Sequence, residues 1–123
     1  MKREILFRGK RVFDNKFEHG FLSWHSFGDG VNYFVNNNVV YPETVGQFTG
    51  ITDKNELKIF EGDILETEEG IIWVVSWSEQ GEWIACDVFY EETELLSDIV
   101  CYNIRIVGNR FDNKELLNES INN

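Results

Sequence analysis

Hydrophobic residues come in short runs, and the polar stretches between them are rich in glycine, asparagine and aspartate. That spacing predicts strands joined by turns rather than long helices. Ile5-Leu6-Phe7 runs through Arg8 into Gly9, and β character resumes at Phe17-Glu18-His19-Gly20-Phe21-Leu22. Residues 5–22 are therefore expected to form a hairpin closed near Asp14-Asn15. Residues 23–38 hold Gly28, Asp29, Gly30 and Asn36-Asn37-Asn38, all turn formers. Tyr33-Phe34-Val35 and Val39-Val40-Tyr41 flank the asparagines as the arms of a second hairpin.

The middle of the chain reads as a three-stranded antiparallel meander over Leu57–Leu65, Ile71–Trp77 and Glu82–Phe89. Thr67-Glu68-Glu69-Gly70 and Ser78-Glu79-Gln80-Gly81 separate the runs, each ending in a glycine suited to positive φ. The first run changes phase, with Leu57 and Ile59 on one parity and Phe60 and Ile64 on the other, so a bulge or bend is expected near Glu61-Gly62. Ile71–Val75 is apolar on both parities, which predicts a central strand covered on both faces. Glu91–Leu96 reads as one or two helical turns or as a loop. Ile99–Val107 alternates as a strand, and Asp112 or Asn113 is placed to cap a short helix through Leu117. Residues 119–123 are expected to fray. The elements predict a mostly β chain: a small twisted antiparallel sheet closing into a barrel-like, SH3-like single domain over residues 1–123, with one or two short helices.

Composition adds limits. With 123 residues, 42% of them hydrophobic and 27% charged, the chain can bury a core of its own and is not globally disordered. The longest apolar run, Ile71-Ile72-Trp73-Val74-Val75, is strand-sized, and no apolar core of a signal peptide follows Met1-Lys2-Arg3. A soluble, cytosolic protein with no membrane partner is expected. Cys86 and Cys101 form no C-x-x-C pair and are expected to be buried and reduced.

Charge is polarised. The net charge of -11 argues against direct binding to phosphate backbones. Residues 1–16 carry six basic side chains against two acidic, whereas the remainder carries five against twenty. Between Ile59 and Ile104 there is no Lys or Arg but twelve Asp or Glu. The plain reading is a solvated acidic surface, offset by the basic N-terminal stretch. The sharper reading is a nucleic-acid mimic built on Glu66, Glu68 and Glu69. Spacing weighs against it, because carboxylates two apart on a strand lie roughly 6.6 Å apart while a duplex strand carries a charge every ~3.4 Å.

The sequence holds no catalytic signature: no Gly-x-Ser-x-Gly elbow, no phosphate-binding loop and no His-Glu-x-x-His. No enzymatic activity, cofactor or metal is expected, and His19 and His25 lack partners at a telling spacing. Glu61 and Asp63 flank Gly62 and would point the same way on an extended strand, a geometry that can hold a cation or do acid–base work. Asp63 accepting backbone hydrogen bonds at a turn is the simpler reading. Trp73 and Trp77 share one strand face and Trp83 opens the next strand, so the three are candidates for an aromatic contact patch.

Arg3-Glu4-Ile5-Leu6-Phe7-Arg8-Gly9-Lys10-Arg11, Pro42-Glu43-Thr44-Val45-Gly46-Gln47-Phe48-Thr49-Gly50-Ile51-Thr52-Asp53-Lys54-Asn55, Ile59–Ile64, Ile106-Val107-Gly108-Asn109 and Asn113–Leu117 together resemble the YopX family, small proteins encoded by phages and prophages of mainly Gram-positive bacteria. The resemblance implies a mostly β, barrel-like fold, a phage or prophage origin and a bacterial host cytosol, and it supplies no catalytic residues. Three positions depart from the family pattern. Glu56 stands where the family usually has Gly, which would pass the left-handed turn position to Asn55. Lys114 stands where Pro is frequent, and Phe17 where Trp is common. The expectation is a non-enzymatic module that binds a protein partner or itself. The alternative is an acidic inhibitor that occupies the groove of a host DNA- or RNA-binding protein.

Overall fold

The computed structural model describes residues 4–28 and 30–117. The chain is mostly β with a few short helical turns, as expected. Its contacts divide it into two compact units, Met1–Phe48 and Thr49–Asn123.

In the first unit, β1 (Phe7–Lys10) pairs antiparallel with β2 (Phe17–Gly20), Lys10 lying opposite Phe17. The Arg11 amide donates to the Lys16 carbonyl at 2.9 Å, and Asn15 takes φ 59° in the turn. The first expected hairpin is present. Residues 23–27, read above as part of a turn-rich stretch, are instead strand. β3 (Leu22–Phe27) pairs residue for residue with β4 (Gly30–Val35), up to Phe27 opposite Gly30. β5 (Asn38–Val40) completes the three-stranded sheet. Asn36 and Asn37 both take positive φ, 48° and 67°, the two-residue geometry that matches strand twist. Val35 and Val40 are buried here, and Gly9 lies so close to Val40 that a side chain at position 9 would meet it at 3.0 Å. A 3-10 turn at Pro42–Thr44 leads into β6 (Gly46–Thr52), whose first residues pair with β1.

In the second unit, the Leu57–Leu65 run is two strands rather than one bent strand. β7 (Lys58–Phe60) and β8 (Asp63–Glu66) are separated by Glu61-Gly62, with Gly62 at φ 92°. β8, β9 (Ile72–Trp77) and β10 (Trp83–Asp87) form the expected meander. β9 is central, but only Trp73 and Val75 are buried, while Ile72 and Val74 are half-buried. Covering on both faces is therefore incomplete. β11 (Thr93–Leu95) pairs with β10 and is followed by α1 (Leu96–Ile99) and a 3-10 turn at Val100–Tyr102. β12 (Arg105–Asn109) pairs with β8, giving the order β11-β10-β9-β8-β12.

Two expectations fail between β11 and β12. The helical turn begins only at Leu96, the last residue of Glu91–Leu96, after β11, and the strand begins at Arg105 rather than Ile99. Leu96 and Ile99, three residues apart, are both buried, which is the helical rather than the alternating pattern. Asn103, at φ 53°, ends the helical segment and redirects the chain into β12. Helical backbone returns at residues 114–117, immediately after Asn113. The expected frayed tail, residues 119–123, lies outside the described residues. Among the described residues, no helix is long and apolar enough to cross a membrane.

The core of this unit comprises Ile59, Leu65, Trp73, Val75, Ala85, Leu96, Ile99 and Ile104. Asp53, 6% exposed, ties its edges together. Its Oδ1 accepts from the Asn55 and Leu57 amides, both at 2.9 Å, and its Oδ2 from the Ile106 amide at 3.0 Å. The left-handed position of that turn falls on Glu56, at φ 65°, not on Asn55. Both cysteines are free, but neither is buried: Cys86 is half-buried on β10 and Cys101 is exposed on the 3-10 turn.

Candidate functional site

The second unit carries an open groove of about 560 Å³ on the face of its sheet that bears Trp73. Each wall is set by a local hydrogen-bond pattern. In the β8–β9 turn, Thr67 Oγ1 accepts from the Ile71 amide at 3.1 Å and Gly70 takes φ 87°, which places Glu69 and Ile71 at the rim. In the β10–β11 turn, Asp87 Oδ1 accepts from the Phe89 and Tyr90 amides at 2.8 and 3.2 Å. The Asp87 amide donates to the Glu92 carbonyl at 2.7 Å, and Glu91 takes φ 57°. This turn brings Tyr90 and Glu92 to the groove. Trp73 and Asp87 are directly opposite across the ladder, as are Ala85 and Glu94, so the strand period of two puts all four on one sheet face. α1 and the 3-10 turn complete the lining with Asp98, Ile99 and Tyr102.

Five carboxylates line this groove: Glu69, Asp87, Glu92, Glu94 and Asp98. Among the described residues, no Lys, Arg or His lines it. Between them stand Trp73, Tyr90, Tyr102, Ile71 and Ile99. An aromatic, apolar floor within a ring of unmatched negative charge is suited to binding a cation that also carries apolar surface.

The tryptophans expected to form a patch occupy different places. Trp77 and Trp83 are direct partners across β9 and β10, their rings edge to face at 4.7 Å, with Trp77 half exposed. Trp73 sits at the opposite end of that ladder, in the core and at the groove. Of the three glutamates, only Glu69 belongs to the groove. Glu66 is paired with Arg105 at 2.5 Å, and Glu68 accepts a hydrogen bond from Asn103 Nδ2 at 3.2 Å. Asp63 is 2% exposed and accepts from the Phe60 amide at 2.7 Å, a turn-stabilising role, while Glu61 is half-buried beside it. Among the described residues, no three His, Cys, Asp or Glu side chains are arranged to hold a metal ion. In the first unit, His25 stacks edge-on to Phe34 at 5.4 Å.

Sequence reasoning missed Asp87, Tyr90, Glu92, Glu94, Asp98 and Tyr102 as one site. Their signal was the stretch from Ile59 to Ile104 without a basic residue, which was assigned to a solvated surface. Convergence of its acids on Trp73 depends on the β10–β11 turn and on α1, the segment whose strand and helix boundaries were misplaced.

A sequence model of the family described as YopX protein matches residues 10–118. No curated protein sequence matches the chain. The structure is similar to the crystal structure of protein EF1440 from Enterococcus faecalis, with a TM-score of 0.60 and 18% identity over 94% of this chain and 99% of that one. At that identity the likeness concerns the fold alone.

Proposed function

The chain belongs to the YopX family, and on that premise we propose that it is a non-enzymatic binding module whose acidic, aromatic groove receives a basic segment of a protein partner. The observation that carries this reading is the groove itself: five carboxylates around Trp73, Tyr90 and Tyr102, with no Lys, Arg or His lining it among the described residues. Aromatic residues concentrate binding energy at protein interfaces, and a one-signed cleft steers an oppositely charged partner to it. On this reading the protein is a phage or prophage accessory factor acting in the cytosol of a bacterial host.

Two further observations bear on the alternatives. A nucleic-acid mimic draws on free charge at Glu66, Glu68 and Glu69, and of these Glu66 is already paired with Arg105. Self-association through the basic N-terminal stretch needs free cations, yet Arg11 is already paired with Asp14 and Glu18.

The test is paired affinity capture from one host lysate. One bait is the wild-type protein, and the other carries Glu92→Gln, Glu94→Gln and Asp98→Asn, all three at exposed positions. A protein held by the wild type, lost from the variant and released by raised salt supports the proposal. Equal retention by both baits contradicts it.

A further inference from the structure

The groove's chemistry narrows its ligand. Its carboxylates are spread over about 560 Å³, and among the described residues no three are arranged to hold a metal ion. Dispersed charge of this kind suits an organic cation with length rather than a compact ion, which needs oxygens converging on one point. Two buried groups at the groove remain partly unspent. Asp87 is 4% exposed and receives both of its amide hydrogen bonds on Oδ1, so among the described residues no donor reaches Oδ2. Trp73, directly opposite, is 7% exposed, and among the described residues its indole Nε1–H has no acceptor, a donor that a lysine or arginine side chain does not serve. Asp87 Oδ2 keeps enough access to the groove to be hydrated there, and an incoming cation replaces that water with a charge-assisted hydrogen bond. Tyr90 and Tyr102, 69% and 63% exposed, line the groove together with the acids, and Ile71 and Ile99 add apolar residues to the lining.

We infer that the groove is a receptor for a single lysine or arginine side chain presented by the partner, with Asp87 Oδ2 as its anchoring acceptor; the inference rests on the protein-binding reading above. The charged head meets Asp87 with Glu94 and Asp98 nearby in the lining, and the methylene stem lies against the apolar lining. Tyr90 and Tyr102 serve the head by cation–π contact or the partner's neighbouring residues by packing. A polypeptide is the source this lining favours, because it brings side chains for the two exposed tyrosines along with the charge.

The experiment is an NMR titration of 15N-labelled protein with capped Ala-Lys-Ala and Ala-Arg-Ala, with capped Ala-Met-Ala as the uncharged control and with spermidine. The expected result is saturable shifts of the Trp73 indole N–H and the Phe89, Tyr90 and Asp98 amides with the basic tripeptides only. Asp87→Asn, which keeps an oxygen for the two turn amides, should weaken binding roughly tenfold or more. Asp98→Asn, at an exposed position on α1, should weaken it less and poses little risk to folding. Equal shifts with the methionine peptide, or none with any peptide, overturn the inference. Tighter binding of spermidine than of either basic tripeptide overturns the protein source. If the tripeptides fail while a captured protein still distinguishes wild type from the Glu92/Glu94/Asp98 variant, this inference falls and the protein-binding reading stands. If they bind while no protein makes that distinction, the cation site stands and its protein source is overturned.

Discussion

Asp53 offers the sharpest test of how the second unit is held together. One nearly buried carboxylate accepts three backbone amides: Asn55 and Leu57 in its own turn, and Ile106 on β12, more than fifty residues away in sequence. Asp53→Ala removes both acceptor oxygens, and with them all three hydrogen bonds, and leaves the donors to find water. Asn55 and Leu57 are exposed, so their amides are rehydrated at a cost of about 0.5–1 kcal/mol each. The Ile106 amide lies in the ladder beside β8, where losing a charged acceptor costs about 1.5–3 kcal/mol. The sum is about 2.5–5 kcal/mol. Asp53→Asn, retaining Oδ1, keeps the two turn bonds but points an NH2 group at the Ile106 amide, a loss of about 2 kcal/mol. For a chain of this size, each kcal/mol lowers Tm by about 4 °C. Thermal and urea unfolding of the three proteins reads the order directly, with Cm falling at constant m. An alanine variant within about 0.5 kcal/mol of wild type would refute the reasoning. An asparagine variant as unstable as alanine would show that the turn bonds contribute nothing.

Other outcomes follow from single positions. Glu56→Gly should stabilise by about 0.5–1 kcal/mol, because relief of the left-handed strain at φ 65° exceeds the entropy gained by the unfolded chain; a lower Tm would contradict this. Gly108→Ala should cost about 1–3 kcal/mol in the same assay, since its Cβ would lie 2.4 Å from the Asn113 Oδ1 that accepts the Asn109 amide. The Asp14 carboxyl is held below its ordinary value of 3.8, chiefly by the Arg11 hydrogen bond, against opposing desolvation, with further help from the Lys16 amide. A depressed carboxyl stabilises the fold above its unfolded pKa, and that contribution disappears as pH falls through the folded pKa. Asp14→Asn should therefore lower stability at neutral pH and flatten the acid limb of the Tm–pH profile; an unchanged acid limb would count against the pair. Cys101, being exposed, should react with a thiol reagent in the folded protein faster than half-buried Cys86, as peptide mapping after brief labelling would report.

Much of the fold is legible because strand hairpins leave local marks. Asn36-Asn37 and the glycines at 62, 70 and 81 stand at positive-φ positions of turns, and the meander follows from the apolar runs between them. The β3–β4 ribbon was harder to see. Trp24, His25 and Phe27 are exposed, so burial imposes no alternation on them, and pairing is carried by the backbone. The segment from Glu91 to Ile104 misled for another reason. Val100, Tyr102 and Ile104 alternate, but the burial of Leu96 and Ile99 against the sheet selects a helical turn, and only tertiary contact decides between the two periods. The candidate site inherits that ambiguity. Trp73 was singled out from its strand face, and Glu69 as an acid, but their meeting with Asp87, Glu94 and Asp98 depends on a turn and a helix whose positions the sequence leaves open.

The most direct test of the groove as a receptor for basic segments is selection of a randomised peptide display library against the wild-type protein. The Glu92→Gln, Glu94→Gln, Asp98→Asn variant serves as the counter-target. The expected result is enrichment of peptides carrying lysine or arginine beside apolar residues, with binding lost on the variant and weakened by salt. Enrichment of uncharged or acidic peptides, or of peptides that bind both proteins equally, would contradict it.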